Sequence, residues 1–168
     1  MRIVISDSSC LIDLRKVSLL DILLALPYEF LIPNTLFEEE LLKFTAAQKR
    51  ALIRGGLKSI DLSAKSVLRA QQVVQTLPQL SVHDGFAYAL AEEHPGCILL
   101  TGDGTLRTLA GQHAIEVHGV LWVIDEIYRC QLSDVATLRT ALDRFSADIT
   151  VRLPPREVAA YIKRYEKL

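Results

Sequence analysis

Features that would assign this protein of 168 residues to a function at once are scarce in its sequence. It has only three cysteines, without a CxxC spacing, and no run of about 18 uncharged apolar residues. Its first residues lack the basic region and the long apolar stretch of a signal peptide. We therefore expect reduced core thiols, no membrane span or membrane partner, and a cytoplasmic location. The three cysteines are Cys10, Cys97 and Cys130.

The net charge is close to zero, and the common nucleotide-binding motifs are absent. With 19 basic and 20 acidic residues the net charge is −1, so only local charge clusters can indicate a nucleic-acid partner. There is no GxGxxG motif and no Walker A loop, and the segment TGDGTL at residues 101–106 is too short to cradle a nucleotide. The four histidines lack the spacing of metal ligands. Nucleotide-dependent and zinc-dependent classes are therefore disfavoured.

What the sequence does contain is an alternation of short apolar runs and helical patterns. Because half of the residues are hydrophobic, the chain can build a sizeable core. The alternation predicts an α/β fold with a mainly parallel central sheet of about four to five strands flanked by helices. We expect strands at residues 3–5, 29–32, 57–60, 97–100 and 114–117, and an extended edge at 149–153. The prediction is a single domain over residues 1–168, with residues 133–168 as a helical extension packed on it.

Carboxylates occupy the places where such a fold gathers functional groups. Asp7 follows the first apolar run, and Asp103 follows the run CILLTG. Glu39 lies on the helix after the strand EFLI, and Asp84 lies in the first turn of a later helix. Ligands of open α/β sheets bind beyond the carboxyl ends of the strands, so these acids are expected to converge. Since clustered carboxylates repel one another, hard divalent cations such as Mg²⁺ or Mn²⁺ would be needed to hold them together.

Each acid also has a plain structural interpretation. Asp7 and Asp84 could cap helices, which taken alone is the more frequent role of such residues. Glu39 belongs to the acidic run 38–40, which could be a solvated helix face. Asp103, followed by Gly104, could form a turn. The order of the four acids, rather than any single one, favours a shared site.

The segments ISDSSCLI, IPNTLFEEEL, LSVHDGFAYALAEE, CILLTGDGTLRTLA and VHGVLWVI together resemble a PIN domain. The likeness covers roughly residues 1 to 130 and is strongest to short prokaryotic PIN proteins, including VapC-type toxins. Glu39 is preferred over its two acidic neighbours because it lies three residues after Leu36, the apolar position that precedes this Glu in the family. The positions that match the family pattern are Asp7, Glu39, Asp84 and Asp103, with the small polar residues Ser9 and Thr101.

The resemblance implies a three-layer, Rossmann-like fold and metal-dependent hydrolysis of RNA phosphodiester bonds, plausible for the toxin of a toxin–antitoxin pair. It implies that Asp7 and Asp103 bind Mg²⁺ or Mn²⁺ directly, and that Glu39 and Asp84 do so directly or through water. Ser9 and Thr101 would hold carboxylates or waters behind these ligands. The implied partners are RNA, a small antitoxin protein and a second copy of the chain. The C-terminal helices could contact either protein, or simply cover the sheet.

Other functions remain open at this point. One is a PIN fold that binds nucleic acid or regulates with little cleavage, and another is a metal-dependent phosphoesterase that acts on DNA. A phosphotransferase of the haloacid dehalogenase type would need a second Asp two residues after Asp7, where this chain has Ser9.

A basic stretch without any acid follows the predicted Glu39 helix, from Leu41 to Ile60. Such a stretch could contact phosphates beside an acidic cleft, or it could be a solvated helix face. Its cations, the predicted nucleic-acid-binding residues, are Lys43, Lys49, Arg50, Arg54 and Lys58.

Overall fold

Five strands form one sheet in the computed structural model, which describes residues 1–168. They are β1 (Arg2–Ser6), β2 (Tyr28–Pro33), β3 (Lys58–Ile60), β4 (Ile98–Leu100) and β5 (Glu116–His118). Every pairing is parallel, and the order across the sheet is β3-β2-β1-β4-β5. With helices flanking the sheet, the predicted α/β fold is confirmed, and the sheet is wholly rather than mainly parallel.

Ten helices connect and cover these strands. They are α1 (Ser8–Lys16), α2 (Leu20–Leu24), α3 (Asn34–Glu39), α4 (Ala46–Arg54), α5 (Ala64–Thr76), α6 (Val82–Glu92), α7 (Gly104–Gln112), α8 (Val120–Arg129), α9 (Val135–Ala147) and α10 (Pro155–Glu166). Helix α6 packs against β1, β2 and β4, and its other contacts are mainly with α5. None of the ten helices combines the length and the hydropathy that crossing a membrane requires.

The register of the sheet decides which residues meet at its carboxyl edge. β1 lies in the centre, and Val4 and Ile5 are completely buried, as expected for a parallel strand covered on both faces. Ser6 pairs with Leu100, so β1 and β4 end side by side. The segments that follow these two strands therefore leave the sheet at one edge, which is where ligands bind in such folds.

The C-terminal helices pack into the same hydrophobic core as the sheet. Leu138, Leu142 and Tyr165 from α9 and α10 are fully or almost fully buried and belong to one apolar cluster with β1. Helix α9 is capped by Asp134, whose carboxylate accepts the Thr137 N–H at 2.7 Å.

The predicted edge strand at residues 149–153 is wrong. These residues pair with no strand, and they form a turn between α9 and α10. The alternating pattern that suggested a strand arises because Val151 is 7% exposed and anchors the turn in the core, whereas Thr150 and Arg152 are exposed.

Candidate active site

Asp7 lies at the carboxyl edge, where the chain passes from β1 into α1. Its N–H donates to the Leu100 carbonyl at 3.0 Å, which fixes it beside the end of β4. The carboxylate caps α1, because Oδ1 accepts the Cys10 N–H at 3.0 Å and the Ser9 hydroxyl at 2.9 Å. The structural interpretation of Asp7 as a helix cap is therefore correct. The carboxylate is nevertheless unusual for a cap, since the residue is only 5% exposed.

Burial raises the pKa of the Asp7 carboxyl, and hydrogen bonds from Thr101, Cys10 and Ser9 oppose that rise. Thr101 follows the end of β4 and is completely buried, and its hydroxyl donates a hydrogen bond to Asp7 Oδ2. The same hydroxyl accepts the Asp103 N–H at 3.1 Å, so Thr101 joins the two acidic segments. Ser9 and Thr101 thus both contact the first carboxylate. A buried carboxylate held in this way is a favourable partner for a cation.

Asp103 and Asp84 are also helix-capping residues, and each leaves one oxygen free. Asp103 caps α7, with Oδ1 accepting the Leu106 N–H at 2.8 Å, so it is a cap rather than a plain turn. Asp84 forms a capping box with Ser81, whose N–H donates to Asp84 Oδ2 at 2.9 Å. Oδ2 of Asp103 and Oδ1 of Asp84 have no hydrogen-bond partner in the protein. The cap hydrogen bond therefore orients each side chain and uses only one of its two carboxylate oxygens.

These three aspartates line one cavity of about 370 Å³. Only one of its twelve lining residues is hydrophobic, so the cavity suits a polar or charged ligand. A larger groove of about 620 Å³ lies between α5 and α6, but its acids already have partners. There, Arg69 forms two hydrogen bonds with Glu92, and Ser63 and Ser66 both donate to Glu93. The smaller cavity is therefore the candidate active site.

The fourth carboxylate of the cavity is Glu40 and not Glu39. Glu40 lines the cavity, and its Oε1 accepts the Ser8 hydroxyl at 2.7 Å. Glu39 does not line it, and its side chain is 61% exposed, with Oε2 2.7 Å from His83 Nε2. Helix α3 ends at Glu39, and Glu40 is the residue at which the chain leaves the helix. The structure thus brings together three of the four predicted acids and replaces the fourth by its neighbour.

Two further residues of the cavity, Asp13 and Lys16, were not predicted from the sequence, although the helical periodicity of α1 includes them. Ser9, Ile12, Asp13 and Lys16 all line the cavity from α1. Their spacing of three, four and seven residues is that of one helix face, so the periodicity could have identified them once Asp7 was placed. Burial raises the pKa of Asp13, and the Lys16 ammonium opposes this at 3.6 Å from Asp13 Oδ1. Thr150 and Arg152 also line the cavity, but no local pattern predicts them.

The donor chemistry of the cavity fits a hard divalent cation. Its acidic lining residues offer carboxylate oxygens, and no thiol or imidazole lines it. As the side chains stand, however, no three of the protein's His, Cys, Asp and Glu residues are grouped so that they could hold a metal ion. The cavity therefore supplies the ligand type that Mg²⁺ or Mn²⁺ prefers, but not a preformed cage.

None of the five cations of the predicted basic stretch lines this cavity. Lys58 is ion-paired with Glu29 at 2.6 Å, and Lys49 lies 3.9 Å from Glu38. The other three, Lys43, Arg50 and Arg54, are exposed and have no ion pair. A contact between this stretch and nucleic acid stays a prediction.

Comparison with known proteins gives a family for this arrangement. The family model DUF3368, a PIN domain, matches residues 3–167. The chain belongs to the PIN domain family. PIN domains are generally nucleases, and PIN domain nucleases usually use divalent metals. The match extends well beyond residue 130, where the sequence likeness ended, and so includes the C-terminal helices. A search of curated proteins finds no match.

Proposed function

We propose that this PIN domain is a Mg²⁺- or Mn²⁺-dependent endoribonuclease. One observation carries the proposal: Asp7, Asp84, Asp103 and Glu40 line a single polar cavity at the carboxyl edge of a parallel sheet. In a family of nucleases, such a cavity is where phosphodiester hydrolysis is expected. The choice of RNA, and a role as the toxin of a toxin–antitoxin pair, rest on the resemblance to short prokaryotic PIN toxins.

Each part of the cavity has a definite task in this proposal. Asp7, Asp84, Asp103 and Glu40 would hold the cation, which, when bound, lowers the pKa of a water and polarises the scissile phosphate. Thr101 and Ser9 fix the Asp7 carboxylate by hydrogen bonds, and Ser8 fixes Glu40 in the same way. Hydrogen-bond partners of this kind keep ligands oriented while the cation and the substrate bind.

The experiment is cleavage of a labelled single-stranded RNA by the purified protein with Mn²⁺, with Mg²⁺ and with EDTA. We expect cleavage with either metal, none with EDTA, and a loss of at least 100-fold in Asp7→Asn. Asp143→Asn is the matched control, since Asp143 is exposed on α9 and lies outside the cavity. Equal cleavage by Asp7→Asn and the wild type would show that the assignment is wrong.

The same assay separates the two alternatives. A DNA strand of the same sequence, cleaved faster than the RNA, would indicate a DNA phosphoesterase. RNA that binds without being cut in any metal would indicate a binding module. A toxin role additionally predicts that expression of the wild type, but not of Asp7→Asn, arrests cell growth.

A further inference from the structure

One wall of the carboxylate cavity is basic. Lys16, from the last turn of α1, and Arg152, from the turn between α9 and α10, line the same cavity as the acids. Thr150 lines the cavity with them, and its hydroxyl accepts a hydrogen bond from Lys16 Nζ at 2.8 Å. These three residues, the basic wall, come from segments that are far apart in sequence.

The turn that supplies Thr150 and Arg152 is held in place. The Asp148 carboxylate accepts the Thr150 N–H at 2.8 Å, and the Asp148 carbonyl accepts the Val151 N–H at 3.1 Å. Val151 is buried between the two exposed residues and packs into the core. The backbone on both sides of Val151 is therefore anchored to the core, and this places Thr150 and Arg152 at the cavity.

The two cations differ in how far they are already neutralised. Lys16 lies 3.6 Å from Asp13 Oδ1, and its side chain is 31% exposed. Arg152 is exposed and has no carboxylate within 4.0 Å. A guanidinium carries five N–H donors in a rigid plane that matches the oxygens of a phosphate. An unpaired arginine beside a group of acids is thus available to an anionic ligand.

We propose that Lys16 and Arg152 form a binding site for a backbone phosphate of the substrate strand, next to the phosphodiester that the carboxylates act on. The inference rests on the proposed nuclease function and names the part of the substrate that the site holds. A polyanion approaching the five carboxylates of the cavity is repelled, and the basic wall supplies the opposing attraction at the cavity itself. Arg152 binds the phosphate directly, and Lys16 is positioned for it by Thr150.

Binding of a fluorescein-labelled single-stranded RNA, followed by anisotropy in EDTA at several KCl concentrations, tests this site. Each phosphate contact to a single strand contributes a slope of about 0.7 in log Kd against log salt. We therefore expect the slope to fall by about 0.7 in the double variant of Arg152→Ala and Lys16→Ala, which removes both cations of the site, and by part of that amount in Arg152→Ala. At 0.1 M salt a fall of about 0.7 corresponds to a Kd about 5-fold higher.

Two further variants distinguish a phosphate contact from a general effect of charge or folding. Arg152→Lys keeps the positive charge and should retain most of the slope. Arg139→Ala removes an exposed arginine of α9 that lies outside the cavity, and should leave Kd and slope unchanged. In the cleavage assay with Mn²⁺, Arg152→Ala should raise KM more than it lowers kcat.

The outcomes separate this inference from the proposed function. If the wild type cleaves RNA but Arg152→Ala and the double variant keep its Kd and slope, the phosphate site is wrong and the nuclease stands. Faster cleavage by Arg152→Ala would also overturn the site, because it would make Arg152 an obstruction. If the slopes fall as expected but no metal supports cleavage, the phosphate site is supported and the nuclease is wrong. If the wild type neither binds nor cleaves RNA, both are wrong.

Discussion

Replacing Asp103 by asparagine and by alanine separates its role as a helix cap from its proposed role as a metal ligand. Asp103 Oδ1 accepts the Leu106 N–H at 2.8 Å, whereas Oδ2 has no partner. An asparagine can place its amide oxygen where Oδ1 lies, and then its amide nitrogen takes the place of Oδ2. Nitrogen of an amide donates hydrogen bonds and cannot bind a cation. The asparagine variant therefore keeps the cap and loses the ligand, whereas the alanine variant loses both.

The expected magnitudes follow from these contacts. Both variants lose the negative charge at the start of α7, so the difference between them isolates the capping hydrogen bond. That bond contributes about 1 kcal/mol, which for a chain of this length corresponds to a difference in Tm of about 2–4 °C. Cleavage should fall in both variants to a similar extent. The fall should exceed the 10- to 100-fold that loss of a supporting residue typically costs a metal site.

Thermal unfolding by circular dichroism in EDTA gives the stability, and initial cleavage rates at 25 °C with Mn²⁺ give the activity. Titration calorimetry with Mn²⁺ provides a second measure of the ligand that does not depend on turnover. The hypothesis is refuted if activity follows stability, with the asparagine variant close to the wild type and only the alanine variant impaired. In that case Asp103 would serve only as a cap.

Two other predictions test neighbouring parts of the site. Glu40→Gln should lower Mn²⁺ affinity and the cleavage rate at least 10-fold, because Glu40 lines the cavity. Glu39→Gln should change both quantities by less than about 3-fold, because Glu39 does not line it. If calorimetry and cleavage rates rank the two variants in the opposite order, Glu39 is the better candidate for the ligand. Asp7→Asn should raise the Tm of the metal-free protein at neutral pH, because burial raises the pKa of Asp7 and the ionised form destabilises the fold. That difference should grow as pH rises from about 4 through the raised pKa; unfolding curves in EDTA with a constant or negative difference would contradict it.

The fold was predictable because the elements carry their own signals. A buried parallel strand is a short apolar run with a break in the sequence at its end. Polar residues follow the apolar residues of β1, and turn-forming residues lie on both sides of β4. Helix α4 is marked at both ends in the sequence, because Thr45 caps it in a capping box with Gln48 and two glycines follow Arg54. Local chemistry of this kind is independent of the rest of the chain, so it can be read without a structure.

The choice among three adjacent glutamates was not predictable in the same way. The preference for Glu39 rests on its place three residues after Leu36, as in the family pattern, and α3 ends at that residue. Beyond that point the backbone turns, and the side chain of the next residue is directed by contacts with Ser8 and the cavity rather than by helical spacing. The end of a six-residue helix is set by tertiary packing, which a local pattern does not contain.

Thr150 and Arg152 show the same limitation over a longer distance. They are more than 130 residues from Lys16, and only the packing of Val151 into the common core brings them to the cavity. A basic stretch that follows Glu40 directly in sequence is more conspicuous, yet none of its cations lines the cavity. Proximity in sequence was therefore a poor guide to which charges surround the acids.

A helix cap and a cation ligand are alternative roles for Asp7 only if the carboxylate acts as a single group, but a carboxylate has two oxygens. The structure shows three carboxylates that cap helices and line one cavity, with the two oxygens of Asp84 and of Asp103 in different surroundings. A cap hydrogen bond fixes the rotamer of the side chain, which lowers the entropy that binding a cation would otherwise cost. Capping therefore orients these residues for the proposed ligation instead of competing with it. Asp7 differs in that its second oxygen also accepts a hydrogen bond, from Thr101, which orients that oxygen and leaves it one further acceptor position for a cation.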